Sequence, residues 1–83
     1  MACRVGMSRN PRSRIKKWMK DEGHTYWEIL HESLTYDQAL RFEKLEAAKR
    51  GCRQEEGGPR DETSDWAVYY VSGGTIKKAA RSA

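Results

Sequence analysis

Between residues 2 and 7 the chain alternates, with Cys3, Val5 and Met7 on one side and Arg4 on the other. That is the period-two pattern of a half-buried strand. Gly6 and Ser8 predict a turn after it. Asn10 before Pro11 predicts a helix start, with the asparagine as cap and the proline at the first helical position, and Gly23 predicts its end. Along this helix Pro11, Ile15, Trp18 and Met19 fall on one stripe at about 100° per residue. Arg14 stands at the border of the stripe beside Trp18, while Lys16, Lys17 and Lys20 point away. Residues 25 to 32 are rich in β-formers and predict a second strand, with Ser33 and Leu34 turning the chain. Thr35 with Gln38 forms a capping-box pattern that opens a second helix, which runs to about Arg50 and ends at Gly51. Residues 53 to 65 lack periodicity and read as a flexible acidic connection. Residues 66 to 72 are apolar or aromatic on both faces, the pattern of a strand central in its sheet. The order strand, helix, strand, helix, strand predicts an α+β fold in one domain over residues 1–74, with a loose basic tail over residues 75–83.

Composition adds bounds to this picture. Eighty-three residues, 37% of them hydrophobic, allow one small domain with a thin core, which three tryptophans, four tyrosines and one phenylalanine help to fill. No apolar run approaches the ~20 residues that cross a bilayer, so no membrane association is expected. No apolar h-region of a secretory signal stands near the N-terminus, and the expected location is intracellular, cytoplasmic or nuclear. Cys3 and Cys52 are therefore expected as a reduced, buried pair, or as a disulfide if the start of the first strand meets the end of the second helix.

Charge changes the picture more. The net charge is +4, and residues 4 to 20 hold seven Lys or Arg and no acid, whereas residues 55 to 65 hold five acids and one arginine. A strand that ends in glycine and feeds a basic helix is suited to presenting N–H groups and cations to a phosphate. On the second helix Glu43 falls inside the stripe of Tyr36, Ala39, Leu40 and Ala47. A carboxylate there must be paired, exposed in a cleft, or holding a metal.

Val5-Gly6, Asn10-Pro11, Arg14 eight residues after the glycine, Trp27-Glu28-Ile29-Leu30, and Glu43 within Ala39-Leu40-Arg41-Phe42-Glu43 follow one another at spacings that resemble the GIY-YIG endonuclease domain. The first strand of that family's hairpin is missing, and Val68-Tyr69-Tyr70-Val71 is a candidate replacement, so the chain resembles a circularly permuted member. Arg4 and Trp18 stand where the family has other residues. The resemblance implies a small three-stranded, mainly antiparallel sheet flanked by two helices. It also implies a site in which Glu43 holds Mg²⁺ or Mn²⁺, Arg14 braces the scissile phosphate, and Tyr69 or Tyr70 activates water.

Two functional expectations follow. The first is a metal-dependent endonuclease with Arg14, Glu43, Tyr69 and Tyr70 as catalytic candidates; His24 and His31 are alternative bases, although surface positions are expected for them. The second is a non-catalytic relative, a nucleic-acid-binding or protein-interaction module. In either nucleic-acid reading Arg4, Arg9, Arg12, Lys16, Lys17 and Lys20 contact a DNA or RNA backbone. The chain is expected as a monomer or a strand-swapped homodimer.

Overall fold

A computed structural model describes residues 3–55 and 60–73. The elements are β1 (Cys3–Ser8), α1 (Pro11–Glu22), β2 (Tyr26–Leu34), α2 (Tyr36–Arg50), β3 (Arg53–Glu55) and β4 (Trp66–Ser72). The expected tail over residues 75–83 lies outside the described residues.

The four strands form one mixed sheet in the order β2-β4-β1-β3, an α+β architecture with two helices. β4 runs antiparallel to both β1 and β2, and β3 runs parallel to β1. The three expected strands are therefore joined by a fourth. Arg53-Gln54-Glu55 falls in the stretch that reads as loop, and it is extended because it pairs with Arg4, Val5 and Gly6. β4 is interior, as its two-sided apolar pattern requires, and Trp66, Ala67, Val68, Tyr69 and Val71 are all buried.

Alternation along β4 divides the core. Val68 packs with Val5, Met7, Trp66, Ala39 and Ala47 on the face covered by α2, whereas Tyr69 and Val71 pack with Ile15 on the face covered by α1. Trp18, Met19 and Ile29 close the second cluster. Removing an aliphatic side chain such as Val68 from water contributes about 1.5–3 kcal/mol. Two thin clusters on one sheet are how a chain of this size obtains its stability.

Helix ends follow local chemistry in one case and not in another. Thr35 accepts from the Gln38 backbone N–H at 3.2 Å while the Gln38 side chain accepts from the Thr35 N–H at 3.0 Å, the reciprocal pair that fixes the start of α2. At α1 the Asn10 side chain makes no capping bond. The Asn10 backbone N–H instead donates to Ser8 Oγ at 2.9 Å, and Pro11 starts the helix. Gly23 and Gly51 end the helices with φ of 72° and 66°, left-handed values that suit glycine.

β1 runs through Gly6 to Ser8 without the expected turn, because Gly6, Met7 and Ser8 pair with Tyr69, Val68 and Ala67. β2 likewise continues to Leu34. Its register against β4 shifts between Ile29 and His31 and again before Leu34, and Ser33 takes a φ of 56° within the second irregularity.

Cys3 and Cys52 are bonded to each other with a Cα–Cα distance of 5.0 Å, tying the start of β1 to the second residue after α2. The reduced pair expected from the sequence is corrected by that proximity. Among the described residues no helix is long and apolar enough to cross a membrane.

Candidate nucleic-acid interface

The residues singled out for catalysis divide between the two faces of the sheet. On the α1 face Tyr69 is 1% exposed, and its hydroxyl accepts a hydrogen bond from Trp18 Nε1 at 2.8 Å. Gly6, its register partner on β1, leaves the space for the phenol: a Cβ there would lie 2.4 Å from the Tyr69 hydroxyl oxygen. Arg14, on the same face as Trp18, and Arg4 are close enough to act on the phenol electrostatically. Burial nevertheless dominates and pushes the Tyr69 phenol above its ordinary value, against the Trp18 hydrogen bond and the two cations. A buried phenol held protonated is poorly suited to taking a proton from water.

On the α2 face Glu43 is fully buried, and its Oε1 accepts from Gln54 Nε2 of β3 at 3.1 Å. Tyr70 faces this side too. Its ring lies edge-on to Tyr26 with centroids 5.9 Å apart, and the Arg50 guanidinium sits 4.8 Å from its centre. Arg14 and Tyr69 are thus brought together, Glu43 and Tyr70 share the opposite face, and the central strands separate the pairs. Among the described residues no three His, Cys, Asp or Glu side chains form a metal-holding group. A single buried carboxylate that accepts from an amide does not fit a Mg²⁺ or Mn²⁺ ion, which binds through several oxygens and keeps several waters.

The histidines are elsewhere and engaged. His24 is 5% exposed, contrary to the surface position expected, and its Nδ1 lies 3.1 Å from the Gly73 carbonyl. His31 stacks on Phe42 with centroids 4.2 Å apart, and its Nε2 lies 3.1 Å from Glu46 Oε2. Glu46 is a buried charge that sequence reasoning missed. Arg50 Nε donates to it at 3.0 Å, and this bond, with His31 second, holds its carboxyl below the usual range. Its signal in the sequence is the i, i+4 spacing to Arg50.

The six basic residues expected at a phosphate also divide. Arg4 is 5% exposed, pairs with Glu55 at 2.7 Å and with Glu22 at 3.8 Å, and lies 4.0 Å over the Trp18 ring. It is a structural cation and faces away from any backbone outside. Arg9 is held by Asp61 and Asp65, and Lys17 by Asp21 at 3.1 Å. The acidic connection is accordingly not loose over its described part: Arg60 joins Asp37 at 2.8 Å, and Trp66 Nε1 donates to the Asp61 carbonyl at 2.8 Å.

Arg12, Lys16 and Lys20 remain. They follow one another at four-residue intervals on α1, a ridge rising about 6 Å per step, and no acid among the described residues pairs with any of them. Arg12 also lies 5.5 Å from the centre of the Trp27 ring, which stands 41% exposed on β2. Arg14 has no ion-pair partner among the described residues either, but it stands on the flank of α1 toward Trp18.

No family model, no curated protein and no solved structure matches the chain.

Proposed function

We propose that the chain is a nucleic-acid-binding module with a GIY-YIG-like arrangement that has no cleavage chemistry. The single observation that carries this reading is the Arg12–Lys16–Lys20 ridge. Three cations aligned on one helix flank, with no acid partner among the described residues, attract a polyanion and release its counterions on binding. The antiparallel seat of β4 beside β1 supports the permuted resemblance, since the hairpin partner of β1 is the strand the resemblance lacks at the start of the chain. Separation of Glu43 from Arg14 and Tyr69 favours the non-catalytic form over the nuclease.

Binding is then sequence-tolerant and salt-sensitive. With about three phosphate contacts on a single strand, affinity falls about 20-fold between about 50 and about 200 mM salt. The test is a fluorescence-anisotropy titration with labelled oligonucleotides, alongside plasmid incubation with Mg²⁺ or Mn²⁺. Glu43→Gln keeps the side-chain shape and an acceptor for Gln54, and it should leave binding unchanged. Metal-dependent nicking that disappears in Glu43→Gln would overturn the non-catalytic reading.

A further inference from the structure

α1 and the outer end of β2 leave an open groove of about 290 Å³ lined by Arg12, Ile15, Lys16, Met19 and Trp27. Its floor is apolar: Ile15 is buried and Met19 half-buried, and the Trp27 indole forms one wall with 41% of its surface still exposed. Its rim is cationic, with Arg12 over the indole and Lys16 one turn further on. No acid lines it. A tryptophan beside a cleft, with cations along one edge, presents a flat apolar surface next to an anion site.

We infer that this groove takes an unpaired nucleobase stacked on Trp27 while its flanking phosphates lie on Arg12, Lys16 and Lys20, so that the ligand is single-stranded nucleic acid. The inference rests on the phosphate-binding reading of the ridge and adds to it the form of the ligand. Charge complementarity selects a polyanion. The volume, at the lower end of ligand pockets, selects one planar group over a long apolar segment. A base stacked inside a duplex cannot enter such a groove, whereas an unstacked one presents its face to any aromatic side chain, whatever its identity. A membrane surface would require apolar groups that project outward, and here the apolar floor is recessed between the helix and the strand.

The test uses the full chain with an oligothymidylate of about ten nucleotides, within the length range one small domain covers, and a duplex of the same length at low salt. The expected result is tighter binding of the single strand, with quenching of the tryptophan emission. Trp27 is the most exposed of the three tryptophans, Trp66 being 3% exposed and Trp18 bonded to Tyr69. Trp27→Ala should weaken single-strand binding by about fivefold or more and leave duplex binding within about twofold, while Trp27→Phe restores most of the loss. Circular dichroism melting of Trp27→Ala verifies that the fold survives.

Equal affinity for both ligands, or a Trp27→Ala chain that binds the single strand as the parent does, overturns the groove. The phosphate-binding reading survives that result if the affinity still falls with salt. Stronger association with vesicles of phosphatidylserine and phosphatidylcholine than with the oligonucleotide also overturns it. Failure to bind either nucleic acid at low salt overturns both readings.

Discussion

Replacing Gly6 with alanine tests the packing that holds the two central strands and α1 together. The new methyl carbon would lie 2.4 Å from the Tyr69 hydroxyl oxygen and 2.5 Å from its ring carbon Cζ. Non-bonded heavy atoms settle at about 3.5–4.0 Å, so the phenol must retreat by about 1 Å or β1 must bend away. Tyr69 has little room to do so, because it is 1% exposed and packed with Ile15 and Val71. A retreat of that size stretches its 2.8 Å bond from Trp18 Nε1 past hydrogen-bonding distance, at a loss of about 0.5–1.5 kcal/mol. Overpacking adds about 1–3 kcal/mol. Against this, alanine gains about 0.5–1 kcal/mol over glycine in a strand. The expected net loss is about 2 kcal/mol, which lowers the melting temperature by about 8–16 °C in a chain of this length. Urea unfolding followed by tryptophan fluorescence measures it as a lower midpoint at unchanged slope. In a Tyr69→Val background the same substitution should be neutral or stabilising, and the difference between the two backgrounds is the coupling energy. A Gly6→Ala chain within about 0.5 kcal/mol of the parent would refute the close approach of the phenol to β1.

Glu46→Gln replaces a buried carboxylate held by Arg50 and His31, and should destabilise by about 1–2 kcal/mol at neutral pH. The Glu46 carboxyl lies lower in the folded chain than its ordinary value of 4.5, so its contribution is full above that pH and fades as pH falls below it. The gap between parent and Glu46→Gln in urea midpoints should therefore narrow progressively as the pH is lowered below 4.5. Reducing the Cys3–Cys52 bond opens a loop of 49 residues and should lower stability by about 4 kcal/mol on chain entropy, read as a drop in the urea midpoint with dithiothreitol. A Cys3→Ser/Cys52→Ser chain should match the reduced parent and be indifferent to the reductant.

Local chemistry made much of the fold readable. The Thr35–Gln38 pair places the start of α2, Gly23 and Gly51 place both helix ends, and the two-sided apolar run of residues 66 to 72 places an interior strand. Long-range pairing made the rest unreadable. Arg53-Gln54-Glu55 has no strand character of its own and is extended by lying beside β1, far away in sequence. Arg9 holds Asp61 and Asp65, and Arg60 holds Asp37 of α2, so ion pairs fasten a stretch whose composition reads as loop. Helical periodicity correctly put Glu43 toward the core. It carried no information about which face of the sheet α2 would cover, so the separation of Glu43 from Arg14 was not legible. The same limit applied to the basic residues: seven cations in residues 4 to 20 could be counted, but their division into paired and unpaired depended on acids from distant elements.

The central claim is that the Arg12–Lys16–Lys20 ridge on α1 is a phosphate interface, and its salt dependence tests that most directly. Arg12→Ala/Lys16→Ala/Lys20→Ala removes three cations that make no ion pair among the described residues, so the fold should persist. Against a single-stranded oligonucleotide, the slope of log affinity on log salt should become shallower by about 2 relative to the parent, which is about 0.7 for each lost contact. A triple variant that folds and binds with the parent's affinity and slope would contradict the claim.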